Sequence, residues 1–246
     1  MSKIGARFLN WEHKMYWFST IYTKFRISGY TMDIDVEGFA FMENNNEKEL
    51  FYLCSMKHDF AGVVLAGGNS SRMGKDKAWL LYQGKPFIQH AIDALSPHCS
   101  QLFISSNDSS YSILGLEQIP DMIPGYGPAG ALLSCLSAVR PDSLMVLPCD
   151  LPLITHSVMM HFLLESKECD AVVAKVNGLL IPVCGVYHKS ALAFLSTEVA
   201  EGRLKMKGIL KGLKVQFVDF DLLGLENRFF NVNNDEDYKL LQGFSL

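Results

Sequence analysis

From Phe60 onward, short apolar runs alternate with amphipathic segments, and each run delivers the chain into a cluster of Gly, Pro, Asp or Asn. The runs Phe60–Leu65, Gln101–Ser106, Leu116–Ile119, Leu144–Leu147, Ala171–Lys175, Leu180–Tyr187 and Val215–Phe220 have the length and β-branched content of strands. Between them, Pro86–Leu95, Pro128–Val139, His156–Glu165, Lys189–Ser196, Leu204–Lys211 and Asn234–Leu241 carry apolar residues at helical spacing. Strands apolar on both faces and separated by helices predict a mostly parallel sheet covered on both sides, a three-layer α/β fold. Ligands of such sheets sit beyond the carboxyl ends of the strands. Small and acidic residues recur there: Gly67 and Gly68 after the first run, Asn107 after the second, Asp121 after the third, Asp150 after the fourth.

Residues 1–55 differ. They hold 12 aromatic residues, including Trp11 and Trp17, no proline, and no sustained helical or strand period. Asn44-Asn45-Asn46 followed by Glu47-Lys48-Glu49 reads as a solvated break. Trp11, Tyr16, Trp17 and Phe18 mark a candidate partner-binding helix. Met56 opens a short polar leader that runs directly into the first strand, so the expected division is an N-terminal extension at 1–55, upstream of a start at Met56, and one catalytic domain at 56–246.

Composition narrows the chemistry. With 22 Lys+Arg against 26 Asp+Glu in 246 residues, the chain has a formal net charge of −4, which argues against a broad footprint for nucleic acid or an anionic membrane. An anionic substrate therefore needs a local basic cluster. Six scattered cysteines without a C-x-x-C pair point to free thiols in a reducing cytoplasm, and no apolar run reaches the roughly 18 residues of a spanning helix.

The basic cluster lies in "VVLAGGNSSRMGKDKAWLLYQGKP", Val63 to Pro86. The strand ends at Leu65; Ala66, Gly67 and Gly68 let backbone amides approach an anion; Arg72, Lys75 and Lys77 supply charge-assisted contacts to phosphate. A triphosphate fits this pattern. A P-loop does not, because five residues separate Gly68 from Gly74 and Asp76 stands where Ser or Thr would bind magnesium. Gly125-Tyr126-Gly127-Pro128-Ala129-Gly130 satisfies the dinucleotide fingerprint on paper, but Pro120 and Pro124 interrupt the strand that should run into it. The stretch reads instead as a loop opening a helix, with Pro128 in its first turn and Gly130 allowing close packing.

Asp150, just past the apolar strand in "LMVLPCDLPLI", is placed to hold Mg²⁺ through one or two oxygens while phosphate and water complete the octahedron. Asp121 is a second candidate, for ribose or metal. Near the C-terminus "FFNVNNDEDYKLL" puts Asn231 and Asn233 on one face of an extended segment, within reach of metal or phosphates, and Asn234 caps a helix whose first turn holds Asp235, Glu236 and Asp237.

Taken in order, "LAGGNSSRMGKDK", "GKP", "DMIPGYGPAGALLS", "LPCDLPLI" and "FFNVNNDEDY" resemble the molybdenum cofactor guanylyltransferases, over about 58–246. The resemblance implies a Rossmann-like nucleotidyltransferase fold and transfer of GMP from GTP to the phosphate of molybdenum-molybdopterin, with Mg²⁺, giving the guanine dinucleotide cofactor and pyrophosphate. It also implies contact with proteins that insert molybdenum and mature molybdoenzymes. By motif, Leu65, Ala66, Gly67 and Gly68 line the GTP site, Lys77 and Arg72 serve the phosphates, Asp121 the nucleotide, and Asp150 magnesium and nucleotide. Asn231 and Asn233 match the family's late Asn-x-Asn. Ser105 occupies the nucleotide-contacting position after the second strand where the family tends to carry Asn, with Asn107 two residues on. Leu180 and Ile181 precede Pro182 where a polar residue is often found. A related transferase using CTP, or acting on a sugar phosphate, is the alternative.

Overall fold

The computed structural model describes residues 60–67, 76–163 and 168–244 with their side chains, and the backbone of 23–27, 30–34, 39–44, 47–52 and 164–165. The chain divides into two compact units, 1–56 and 57–246.

In the first unit, β1 (Thr23–Ile27), β2 (Tyr30–Ile34), β3 (Phe39–Asn44) and β4 (Glu47–Tyr52) form an antiparallel sheet in sequence order. This corrects the expectation of a segment without strand period. Polar and apolar residues do alternate in Lys24-Phe25-Arg26-Ile27 and Thr31-Met32-Asp33-Ile34, but connections reset the phase every few residues, so no long period develops. At the expected break Asn44, ending β3, pairs with Glu47, which opens β4, so Glu47-Lys48-Glu49 are strand residues; Asn45 and Asn46 lie outside the described residues. The candidate helix at Trp11–Phe18 lies outside the described residues.

The second unit carries a seven-stranded sheet in the order β13-β11-β12-β10-β5-β8-β9. Its members are β5 (Phe60–Leu65), β8 (Gln101–Ser105), β9 (Glu117–Ile119), β10 (Ser143–Pro148), β11 (Ala171–Val176), β12 (Leu179–His188) and β13 (Val215–Asp219). Every predicted strand is present. β5 pairs in parallel with β8 and β10, β8 with β9, and β11 with β13. β12 is the exception: it runs antiparallel to β10 and β11, because the Asn177-Gly178 turn joins β11 to β12 with no helix between them. Both turn residues have positive φ, 51° and 72°, as a tight hairpin turn of the favoured twist requires.

Side-chain alternation along the strands divides the core into two layers. Val64, Met145, Leu147, Val172 and Ala174 pack against α1 (Phe87–Leu95) and α3 (His156–Glu165), with Phe220 and Phe229 closing that side. Ala61, Val63, Leu144, Val146 and Val173 face the opposite way, toward α2 (Gly127–Ala138), α4 (Leu192–Ala200) and the short α5 (Met206–Ile209). Strands buried on both faces are why their sequences read as continuous apolar runs. A third, smaller cluster joins Tyr82 and Phe87 to Leu153, Val232 and Leu241. It seats α6 (Asp235–Gln242) against the hairpin formed by β6 (Leu81–Tyr82) and β7 (Lys85–Pro86). There Tyr238 and Gln242 both donate to the Leu81 carbonyl, at 2.8 and 2.9 Å.

Candidate active site

The ends of three neighbouring strands are laced together where the first glycines begin. Ala66 N–H donates to the Ser105 carbonyl at 3.0 Å, and Cys149 N–H donates to the Leu65 carbonyl at 3.1 Å. Gly67 then leaves the sheet at φ +94°, a conformation that favours glycine, and a Cβ there would lie 2.9 Å from Ser106 Oγ. Gly68 and Arg72, with Lys75, lie outside the described residues.

Above these strand ends opens a cavity of about 920 Å³. Of the expected site residues, Leu65, Ala66, Gly67, Lys77, Ser105, Asp121, Asp150 and Asn231 all line it. Asn233 is joined to the group by Lys77, whose ammonium donates to Asn233 Oδ1 at 3.4 Å. Among the described lining residues Lys77 is the one cation.

The two late asparagines are set by the residue between them. Val232 is fully buried, and its N–H donates to the Asp150 carbonyl at 3.0 Å, which fixes the extended segment alongside the end of β10 and turns Asn231 and Asn233 outward together. Asn234 closes a capping box with Asp237, and Asp237 also accepts from Asn233 N–H at 2.7 Å. The acidic first turn of α6 thus anchors the segment rather than entering the cavity.

Four carboxylates line the cavity, and three are occupied. Asp76 accepts from Ala78 N–H and from the Tyr111 hydroxyl. Asp108 caps the 3-10 turn Ser109–Leu114 by accepting from Ser110 N–H. Asp121 exchanges two hydrogen bonds with Asn107: its N–H donates to Asn107 Oδ1 at 2.9 Å, and the Asn107 amide donates to its Oδ2 at 3.3 Å. Burial raises the Asp121 carboxyl, and that amide works against the shift. Asp150 alone has no side-chain partner among the described residues. Burial pushes its carboxyl above the ordinary carboxylate range, while the Lys77 charge and its own backbone amide pull it back. A desolvated carboxylate without a hydrogen-bonding side chain, facing a cavity, fits the single protein ligand of a divalent cation completed by substrate phosphates. No cluster of three or more His, Cys, Asp or Glu occurs among the described residues, so an all-protein cation cage is absent from them.

Ser105 lines the cavity but is only 3% exposed; exposed Asn107 presents its amide at this wall. Sequence reasoning passed over Ser106, Asp108, Ala131 and Val183, and took Pro128 and Ile181 only as a helix start and a departure from the family pattern; all six line the cavity. Their shared signal was position: each lies at or just beyond the same edge of the sheet. The loop Gly125–Gly130 is no dinucleotide site, since β9 ends at Ile119. Gly130 packs on Tyr126, where a Cβ would approach the Tyr126 Cβ to 2.7 Å.

A mostly parallel sheet with phosphate-suited backbone, one lysine and one desolvated aspartate at its carboxyl edge defines a nucleotidyltransferase of Rossmann-like type. The profile of the MobA-like NTP transferase domain matches residues 62–216, and the chain belongs to that family. It is 31% identical over 189 residues to a probable molybdenum cofactor guanylyltransferase of Carboxydothermus hydrogenoformans, covering 75% of this chain and 96% of that one. A relative of the same description from Bacillus cereus is 32% identical, covering 73% and 94%. Among solved structures, the molybdopterin-guanine dinucleotide biosynthesis protein A of Archaeoglobus fulgidus superposes with a TM-score of 0.63 at 25% identity, covering 74% of this chain and 96% of that one. The chain is a nucleotidyltransferase enzyme, and members of its family generally use a divalent metal.

Proposed function

We propose that the protein transfers GMP from GTP to the terminal phosphate of molybdenum-molybdopterin, with Mg²⁺, forming molybdopterin guanine dinucleotide and pyrophosphate. The observation that carries this reading is the convergence of Lys77, Asp150, Asn231 and the Asn107–Asp121 pair on one cavity, in a chain whose relatives are named for that reaction. An oxygen of the acceptor phosphate attacks the α-phosphorus of GTP; the bond from that phosphorus to the bridging oxygen breaks, and pyrophosphate leaves with the electron pair. The attacking oxygen is already anionic, so no strong base is needed, and the work lies in bringing two polyanions together. Gly67 supplies its backbone N–H, Lys77 neutralises phosphate charge, Asn231 faces the phosphates, and Asp150 would hold the metal, which supplies further neutralisation of the departing pyrophosphate. The motif assigns Gly68 and Arg72 to the phosphates as well, and Asp121, fixed by Asn107, receives the nucleoside.

We assign the catalysis to residues 56–246, nearly coincident with the second unit, 57–246. The free cysteines Cys99, Cys135, Cys149, Cys169 and Cys184 suit a reducing cytoplasm, and no described helix is long and apolar enough to cross a membrane. Partners that deliver loaded pterin and receive the dinucleotide complete the reading. Incubation with GTP or CTP, Mg²⁺ and molybdenum-loaded pterin decides it: the guanine dinucleotide should accumulate with release of pyrophosphate. Exclusive formation of the cytosine product, or none with GTP, overturns it.

A further inference from the structure

Tyr111 belongs to none of the sequence motifs and does not reach the cavity, yet it is bound to the site. It is fully buried in the 3-10 turn Ser109–Leu114, with its ring stacked on Trp79 at a centroid distance of 5.6 Å and an interplanar angle of 17°. For packing alone a phenylalanine would serve. The hydroxyl instead donates to Asp76 Oδ2 at 2.5 Å. The other oxygen of Asp76 accepts from Ala78 N–H at 3.1 Å, capping the three-residue 3-10 turn Lys77–Trp79. Asp76 is therefore gripped on both sides, and Lys77 is the residue between the two grips.

That turn has little of its own to hold it. Its backbone bonds are Trp79 N–H to the Asp76 carbonyl at 3.3 Å and Leu80 N–H to the Lys77 carbonyl at 3.0 Å, and runs this short have poor hydrogen-bond geometry. The ammonium of Lys77 has one long contact, to Asn233. Where the lysine points is thus decided by where its backbone is fixed. Tyr111 is tied in turn to the opposite wall. Its own turn is capped by Asp108, which lines the cavity, and Asp108 N–H donates to Ser106 Oγ at 3.1 Å.

We infer that Tyr111 is a positioning residue for the nucleotide: acting through Asp76, it holds Lys77 at a set distance from the Ser106–Asp108 wall, so that phosphates and nucleoside are met together. Burial, and then the neighbouring Asp76 carboxylate, push the phenol well above its ordinary range, which keeps it a donor at every working pH. The inference rests on the nucleotidyl-transfer reading above.

The test uses the full chain and isothermal titration with GTP and, separately, CTP. Tyr111→Phe keeps ring, stack and volume and removes one hydroxyl. It should raise the nucleotide dissociation constant about tenfold, the scale of a lost hydrogen bond to a charged group. The KM for loaded pterin should remain within twofold of wild type. Asp76→Asn should lose a similar factor. In a Lys77→Ala background Tyr111→Phe should cost nothing further, because the hydroxyl acts through the lysine; a purely structural role would add its penalty there. Tyr111→Phe binding within twofold of wild type, or penalties that add on Lys77→Ala, overturns the inference. A wild type that binds CTP and not GTP overturns the guanine reading, while the same variants titrated with CTP still decide the role of Tyr111.

Discussion

Replacement of Asp150 by asparagine separates what this carboxylate does for the fold from what it does for the reaction. The substitution keeps shape, and it keeps the backbone carbonyl that receives Val232 N–H. Burial already opposes the charge, with no described side chain bonded to the carboxylate in compensation. The neutral asparagine should therefore raise the melting temperature of the metal-free protein above wild type. The reaction should move in the opposite direction. Losing a preorganised electrostatic group from a transition state costs about 10²–10³ in kcat, or roughly 3–4 kcal/mol. Ligand-induced stabilisation gives an independent measure: at about 100 times Kd, Mg²⁺ and GTP should stabilise wild type by roughly 2.7 kcal/mol. For a chain of this size that is about 5–11 °C. Asp150→Asn should forfeit most of this gain. Thermal unfolding with and without Mg²⁺ and GTP, beside pyrophosphate release at saturating Mg²⁺, reads both effects. A variant that turns over within threefold of wild type, or that gains as much melting temperature from Mg²⁺ and GTP, refutes the metal assignment.

Asn107→Ala removes both hydrogen bonds that orient Asp121 and should weaken GTP binding by about 1–2 kcal/mol, measured by calorimetry, with little change in the KM for pterin. His161 is buried edge-on to Phe220, and burial lowers its imidazole from 6.5 to about 4. The unfolded chain therefore takes up the proton first as pH falls, so stability is full above pH 6.5 and declines toward pH 4, by about 3 kcal/mol in all. Denaturant titrations across that range should show the slope, and His161→Leu should flatten it. Gly185→Ala places a Cβ 2.1 Å from the Val172 carbonyl oxygen, beside the register shift between Val173 and Ala174. It should cost about 3 kcal/mol or more of unfolding free energy; urea denaturation checks this.

The second unit was legible because its strands are buried on both faces. A run such as Leu144–Leu147 has no polar position to confuse its length, and it sits within Ser143–Pro148 as found. The reversed direction of β12 was written in Asn177-Gly178, a strong hairpin signal, and in the absence of any helical segment between the two runs it joins, although the expectation of a mostly parallel sheet did not name the strand that turns back. The antiparallel unit was harder, since four-residue alternations carry too little signal to outvote an aromatic composition. In the site, Gly67 and Asp150 stood out by residue type just past a strand end, and Lys77 as part of the basic cluster that follows β5. The Asn107–Asp121 exchange spans 14 residues and the Tyr111–Asp76 bond 35; such pairs are made by the folded sheet. Tyr111 read alone is an ordinary core aromatic.

The attachment of α6 to β6 has a consequence for synthesis. Lys77 waits 156 residues for Asn233, and the Leu81 carbonyl waits 157 and 161 residues for its two donors. At a translation rate of about 5–20 residues per second, that interval is roughly 8–30 s. The Lys77–Trp79 turn meets Tyr111 after 35 residues, and its contact with the C-terminal segment forms only at the end of that interval. In the proposed site the late asparagines are therefore the last of the nucleotide-facing residues to be synthesised, and the wall they form is added to one already standing.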